Sequence, residues 1–144
     1  MIEQDTVRLL RECDAGVKMG VSSLEDVMPA VHSPALLRTL SVCREEHEGL
    51  SSQIQQQLDR FGDECKNPSP IVQKMSWVKT KLELGLEDSA HTVADLMTDG
   101  CNMGVKSLNR YLNQYKAADE RSKDISKRLI HLEQTLAEDV RAFL

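Results

Sequence analysis

The chain contains few aromatic residues and no long apolar segment. Aromatic side chains make up 3% of its 144 residues, so a buried core has to be built mainly from aliphatic side chains and methionine. Such a core suits packed helices better than a β-sandwich. No apolar run approaches the roughly 18 residues that a membrane-spanning helix needs, so we expect no membrane insertion. Hydrophobic residues still account for 40% of the chain, which argues against intrinsic disorder.

Charge and cysteine usage exclude further classes of protein. The formal net charge is -5, and basic residues alternate with acidic ones, as at Lys123 and Asp124. We therefore expect no nucleic-acid partner, because no dense basic patch is present. The four cysteines are isolated, with no Cys-x-x-Cys motif, and the first residues lack the pattern of a signal peptide. A cytoplasmic protein with reduced cysteines is the expectation.

A six-residue motif occurs twice. Residues 19–24 read MGVSSL, and residues 103–108 read MGVKSL. In both copies another glycine precedes the motif's glycine by four positions; the pairs are Gly16 with Gly20 and Gly100 with Gly104. The repetition predicts a single domain over residues 1–144, built from two related helical hairpins over about 3–62 and 87–144.

Apolar residues recur every three or four positions in four long segments, as the buried face of a helix requires. We predict long helices over about 3–31, 34–61, 87–116 and 119–144, with a short extra helix over about 69–86. Ser33 before Pro34 is typical of a helix start, and Gly62 of a helix end. Short connections within each pair predict an all-α, up-down four-helix bundle. In that bundle the glycine pairs would let the backbones of the first and third long helices approach closely.

The duplicated hairpin and the segments around Gly16–Gly20 and Gly100–Gly104 resemble the ferritin-like superfamily, in particular a small bacterial branch of it. The resemblance covers the whole chain and implies a ferritin-like four-helix bundle. Metal-binding members carry one Glu on each of two helices and a Glu-x-x-His motif on each of the other two. Here Arg44 precedes His47 by three positions, and Arg128 precedes His131 by three. The resemblance therefore implies a bundle without a complete di-iron site.

His47 lies at the centre of the second helix's apolar stripe, one turn after Cys43. One interpretation is a metal site for iron or zinc that uses His47, Cys43 and a thiol from another helix, Cys13 or Cys101. The other is a buried histidine that is hydrogen-bonded to backbone or to a hydroxyl such as that of Ser22 or Ser107. The second is favoured, because stable zinc sites need three or four protein ligands.

Other residues fit less specific roles. Glu45 and Glu48 fall on the outer side of the second helix, and His32, His91 and His131 lie off the apolar stripes, so we expect them at the surface. Asp95 and Asp99 point away from their stripe, and Asp14 lies at its edge. Cys65 falls in a polar loop. Trp77 and Leu84 lie opposite the apolar side of the short helix. Trp77 either packs under the neighbouring long helix or, with Leu84, belongs to a protein interface, to which Ile130 would add.

The leading functional hypothesis is a non-enzymatic bundle, without a predicted cofactor, that acts by forming a homodimer or by binding a protein partner. The alternative is a metal-binding or redox protein that uses His47 and the core cysteines. A third possibility, a carrier of a small molecule, requires a cavity in the bundle.

Overall fold

The computed structural model describes residues 2–62 and 89–144. Four helices pack together: α1 (Ile2–Val27), α2 (Pro34–Arg60), α3 (Ser89–Gln114) and α4 (Glu120–Asp139). Single 3-10 turns follow α1 at Met28–Ala30 and α4 at Arg141–Phe143. The described ranges contain no strand, and the predicted all-α class is confirmed. None of the helices in these ranges has an apolar stretch that could cross a bilayer.

The helix ends follow from local sequence. The Ser33 hydroxyl accepts a hydrogen bond from the backbone N–H of Leu36, and Pro34 occupies the first turn of α2. Gly62 follows the end of α2 with a φ of 67°, a conformation that glycine adopts without a steric penalty. Both of these predicted caps are confirmed. Asp119 begins α4 in the same way as Ser33 begins α2, since its carboxylate accepts from Ser122 N–H at 2.8 Å.

The apolar stripes form the core. In α2 the three-to-four-residue spacing predicts an apolar stripe, and its residues are buried except for Phe61, which is half-buried: Leu36, Leu40, Cys43, His47, Leu50, Ile54, Leu58 and Phe61. The stripes of the other three helices are buried or half-buried as well. Ile130 differs from its prediction. It is only 9% exposed and packs within the bundle, so it is not available for an additional surface contact.

Hydrogen bonds between helices show their directions. Asp5 and Thr6, at the start of α1, accept from the backbone N–H groups of Ala117 and Asp119, just beyond the end of α3. Because α2 returns to the end where α1 begins, α2 and α3 both terminate there and run in the same direction. The two helices of each hairpin are antiparallel, but α2 and α3 are parallel. This differs from the predicted up-down order, in which all consecutive helices alternate in direction.

The four helices do not form a symmetric square. α4 packs against both α1 and α2, whereas α2 and α3 scarcely touch. Contact between α1 and α3 is also the least extensive among the pairs of adjacent helices. The bundle is consequently looser between α1 and α3 than along its other sides.

Three predictions lie outside the described residues. They are the short helix at 69–86, the interface residues Trp77 and Leu84, and the loop residue Cys65.

Candidate functional site

A buried imidazole lies at the centre of the bundle. His47, on α2, has no exposed surface, and its ring packs against Gly20 of α1. A Cβ atom placed on Gly20 would lie 2.8 Å from both Cδ2 and Nε2 of His47. Glycine at position 20 therefore provides the space that the imidazole ring occupies.

Both ring nitrogens of His47 face acceptors. Nε2 lies 2.8 Å from Oε1 of Glu133 on α4, and Nδ1 lies 2.8 Å from the carbonyl oxygen of Cys43. A carboxylate and a carbonyl both accept, so each nitrogen has to donate, which requires the doubly protonated imidazolium. His47 and Glu133 thus form an ion pair inside the bundle.

The protonation of His47 results from opposing effects. Burial lowers its pKa, but the contacts with Cys43 and with the Glu133 carboxylate outweigh burial and raise the pKa to about 10. An opposite charge at hydrogen-bond distance favours the charged form most strongly where solvent is excluded. The imidazolium is therefore the form present at neutral pH.

Glu133 faces the second copy of the repeated motif. A Cβ atom on Gly104 would lie 3.5 Å from Oε2 of Glu133. Gly20 and Gly104 are equivalent in the repeat, so each hairpin places its motif glycine beside a polar side chain of its second helix. The two side chains, His47 and Glu133, then meet across the bundle.

Among the described residues, the cysteines Cys13, Cys43 and Cys101 are buried and form no disulfide. Burial raises the pKa of Cys13 to about 12. Burial and then the charge of Glu133 raise the pKa of Cys101 well above its usual range. Cys43 Sγ lies 3.5 Å from Nδ1 of His47. Thiols that remain protonated are poor metal ligands and poor nucleophiles, so Cys13 and Cys101 fit the predicted role of core residues.

The structure brings the predicted metal candidates His47 and Cys43 together. However, both imidazole nitrogens are already engaged in hydrogen bonds. Within residues 2–62 and 89–144, no three His, Cys, Asp or Glu side chains are grouped so that they could hold a metal ion. A metal ion at His47 would have to displace Glu133 or the Cys43 carbonyl.

Two acidic residues differ from expectation. Sequence reasoning did not identify Glu133 as the partner of His47. The sequence predicts a backbone or hydroxyl acceptor for His47. The Cys43 carbonyl is such a backbone acceptor, but the second acceptor is the carboxylate of Glu133 and not a hydroxyl of Ser22 or Ser107. Asp14, expected at the edge of the core, is only 4% exposed. One of its oxygens pairs with Lys18 at 2.8 Å, while Oδ1 is buried without a hydrogen-bond partner.

Surface assignments are confirmed where the structure describes them. The exposed side chains are His32, Glu45, Glu48, His91, Asp95, Asp99 and His131. These groups lie outside the site that His47 occupies.

A cavity of about 120 Å³ separates α1 from α3 beside the ion pair. All four repeat glycines line it. Counting the described residues alone, a Cβ atom on Gly16 would touch Leu129 of α4, and one on Gly100 would meet nothing within 4 Å. The predicted close approach of the α1 and α3 backbones at these glycines is therefore wrong, because the absent side chains leave open space.

The cavity walls are mainly apolar. Met19 and Leu24 contribute from α1, and Met97 and Leu108 from α3. Met103, which is 55% exposed, lies at the rim. These side chains give the cavity an apolar interior with access from solvent, a combination typical of small-molecule sites.

Charged groups lie at two places in the lining, which also includes the hydroxyls of Ser23 and Ser107. One is the pair of His47 and Glu133, and the other is formed by Glu12 of α1 and Tyr111 of α3. Burial, together with the charge of Glu12 and a hydrogen bond to it, raises the pKa of Tyr111. The tyrosine hydroxyl therefore stays protonated and donates to the Glu12 carboxylate.

The imidazolium is fully hydrogen-bonded, and the buried thiols Cys13 and Cys101 stay protonated, so these groups are not poised as a base or a nucleophile.

No family model, no curated protein and no solved structure matches the chain.

Proposed function

We propose that the chain is a non-enzymatic, ferritin-like helical bundle that binds a small molecule in the cavity between α1 and α3. The observation that carries this proposal is the cavity itself, with its apolar walls and its few polar groups. An engineered cavity of about 150 Å³ binds benzene, so a space of about 120 Å³ suits a molecule of about that size.

The ferritin-like part of the proposal is supported by the repeated motif and by the helix directions. Ferritin-like bundles have one long crossover connection. Here α2 ends and α3 begins at opposite ends of the bundle, as such a connection requires. His47 and Glu133 project inward from α2 and α4, the kind of position from which metal-binding members supply ligands.

The ion pair supports a role without di-iron chemistry. An ionised histidine has no lone pair for a metal, and the carboxylate that it pairs with has one oxygen occupied. The alternative of a metal-binding or redox protein has less support, because binding at His47 first requires the loss of this pair. Association with a second copy or another protein stays a prediction, since Trp77 and Leu84 lie outside the described residues.

The test compares two substitutions of glycine by leucine. At Gly16, which lines the cavity one turn from Glu12, an added side chain begins next to the cavity and 3.8 Å from Leu129, whereas at Gly49 it begins on the outer surface of α2. Binding of toluene, benzyl alcohol, benzylamine and benzoate to the full chain is measured by ligand-observed NMR. We expect at least one compound to bind the natural chain and the Gly49→Leu variant, and to lose binding in Gly16→Leu.

Binding that persists unchanged in a folded Gly16→Leu variant would place the compound elsewhere. If none of the four compounds binds the natural chain, the proposed function is wrong. Circular dichroism on each variant shows whether the helices remain intact.

A further inference from the structure

The charges around the cavity are not balanced. Two carboxylates, Glu12 and Glu133, line it, and the imidazolium of His47 offsets one of them. Among the lining residues that the structure describes, none is Lys or Arg. Arg110 lies close enough to act on Tyr111, but its side chain is exposed and outside the lining.

Both carboxylates keep acceptor capacity. A carboxylate offers about four acceptor positions. His47 takes one on Glu133, and the thiol of Cys101 takes another. On Glu12 the hydroxyl of Tyr111 takes one. The remaining positions can accept from a ligand, and Glu133 is itself 13% exposed.

The ring of Tyr111 also favours a cationic group, and the methionines favour an apolar body. The face of an aromatic ring attracts a cation, and Tyr111 lines the cavity next to Glu12. Thioether sulfur in Met19, Met97 and Met103 is polarisable and accommodates varied apolar shapes. An anionic ligand would meet the opposite situation, because two carboxylates would repel it and no cationic side chain of the lining is free to receive it.

We propose, on the basis of the proposed function, that the ligand is a small primary amine with an apolar body of about six to eight heavy atoms. Its ammonium group lies between Glu12 and Tyr111, and its apolar body extends between α1 and α3 past Gly16 and Leu108. Glu12 is the primary anchor of the ammonium group, because the charge of Glu133 is already balanced by that of His47.

The test uses four molecules of similar size and different charge. Benzylamine is protonated at pH 7, benzyl alcohol is a neutral donor, toluene has no donor, and benzoate is an anion. Dissociation constants are measured for the full chain by calorimetry or NMR titration. We expect benzylamine to bind about tenfold more tightly than benzyl alcohol, since hydrogen bonds to an ionised donor are stronger, and benzoate to bind least.

A matched pair of variants identifies the anchor. Glu12→Gln keeps an acceptor for Tyr111 and removes the charge, whereas Glu48→Gln removes a charge from the exposed side of α2. We expect Glu12→Gln to bring benzylamine within about threefold of benzyl alcohol, with toluene unaffected. Glu48→Gln should leave the full preference in place. Added salt should weaken benzylamine binding more than toluene binding.

The outcomes separate the two proposals. Toluene binding as tightly as benzylamine, with both lost in Gly16→Leu, overturns the amine assignment and leaves the cavity function standing. An amine preference that survives Glu12→Gln overturns the anchor. Absence of binding by all four molecules overturns the amine proposal together with the function on which it rests.

Discussion

The positive charge of His47 lies in a core that is built mainly of apolar side chains, and that position has a cost. An isolated charge in such surroundings loses its hydration, which costs several kcal/mol unless hydrogen bonds and an opposite charge replace the water. His47 obtains both from two acceptors at 2.8 Å. Removing either member of the pair leaves the other without that compensation.

Replacing Glu133 with glutamine tests this dependence. Glutamine keeps the shape and a hydrogen-bond acceptor but removes the negative charge. We expect the pKa of His47 to fall by roughly 1–3 units, and the free energy of unfolding to fall by about 2–4 kcal/mol. NMR titration of the His47 ring and urea denaturation measure the two quantities.

Glu138→Gln is the matched control, since Glu138 is exposed on the same helix. It should change neither quantity beyond about 0.5 kcal/mol or a few tenths of a pH unit. A natural chain in which His47 already loses its proton near pH 6.5 would contradict the ion pair.

At the scale of the helices, the two copies of the repeated motif respond differently to the same change. Alanine is a better helix former than glycine by up to about 1 kcal/mol. At Gly20 a Cβ atom would collide with the His47 ring at 2.8 Å, and two hydrogen bonds hold that ring in place. At Gly104 the nearest atom is Oε2 of Glu133, at an ordinary contact distance of 3.5 Å.

We therefore expect Gly20→Ala to destabilise the chain by about 1–3 kcal/mol, as overpacking does. Gly104→Ala should leave stability unchanged or raise it by up to about 1 kcal/mol. Urea denaturation of both variants gives the two values. Equal effects of the same sign would show that the repeat glycines serve only a general packing role.

The helices could be predicted from the sequence because their signals are local. The period of the apolar stripes, the Ser33-Pro34 start and the Gly62 end all act within a few residues, and each appears as predicted. Burial of His47 also followed from its place on the stripe. Ile130 was misassigned because α4 packs against both α1 and α2, which buries a wider face than one stripe indicates.

Glu133 could not be predicted because its role depends on the relative register of two helices. The apolar residues of α2 and α4 match when the two sequences are aligned with an offset of 82, which pairs Leu50 with Leu132. In that alignment His47 corresponds to Leu129, not to an acidic residue. The actual contact joins residues 86 positions apart. The contact between His47 and Glu133 depends on how α2 packs against α4, and the repeated motif does not indicate that packing. The cavity was likewise hidden, because a glycine can indicate either close contact or open space.

At the scale of the whole molecule, the uneven packing of the helices connects the ion pair with the cavity. α4 packs against both α1 and α2, and this position brings Glu133 to His47. In the same arrangement α1 and α3 are less closely packed against each other. The side of the bundle that opens is the one that carries all four repeat glycines. A core charge and a ligand-sized space are thus two results of one arrangement.

The stability of the whole bundle should depend on pH through His47. Its pKa is raised from 6.5 to about 10 in the folded state, so the folded chain holds this proton more tightly than the unfolded chain. The stabilisation is complete below pH 6.5 and is lost as the pH rises toward 10, with a slope of at most about 1.4 kcal/mol per pH unit. We expect the free energy of unfolding to fall by about 1–2 kcal/mol between pH 6.5 and 8.

That interval separates His47 from the groups around it. The thiols of Cys13 and Cys101 also have raised pKa values when folded, but in the unfolded chain they lose protons only around pH 8.5. The two thiols therefore change the free energy of unfolding at pH values above this interval. Urea denaturation at four pH values, on the natural chain and on His47→Gln, measures the difference between the two slopes. The His47→Gln slope should be flatter by about 1 kcal/mol per pH unit; equal slopes would mean that His47 is neutral in the folded bundle, in contradiction to the geometry of its two acceptors.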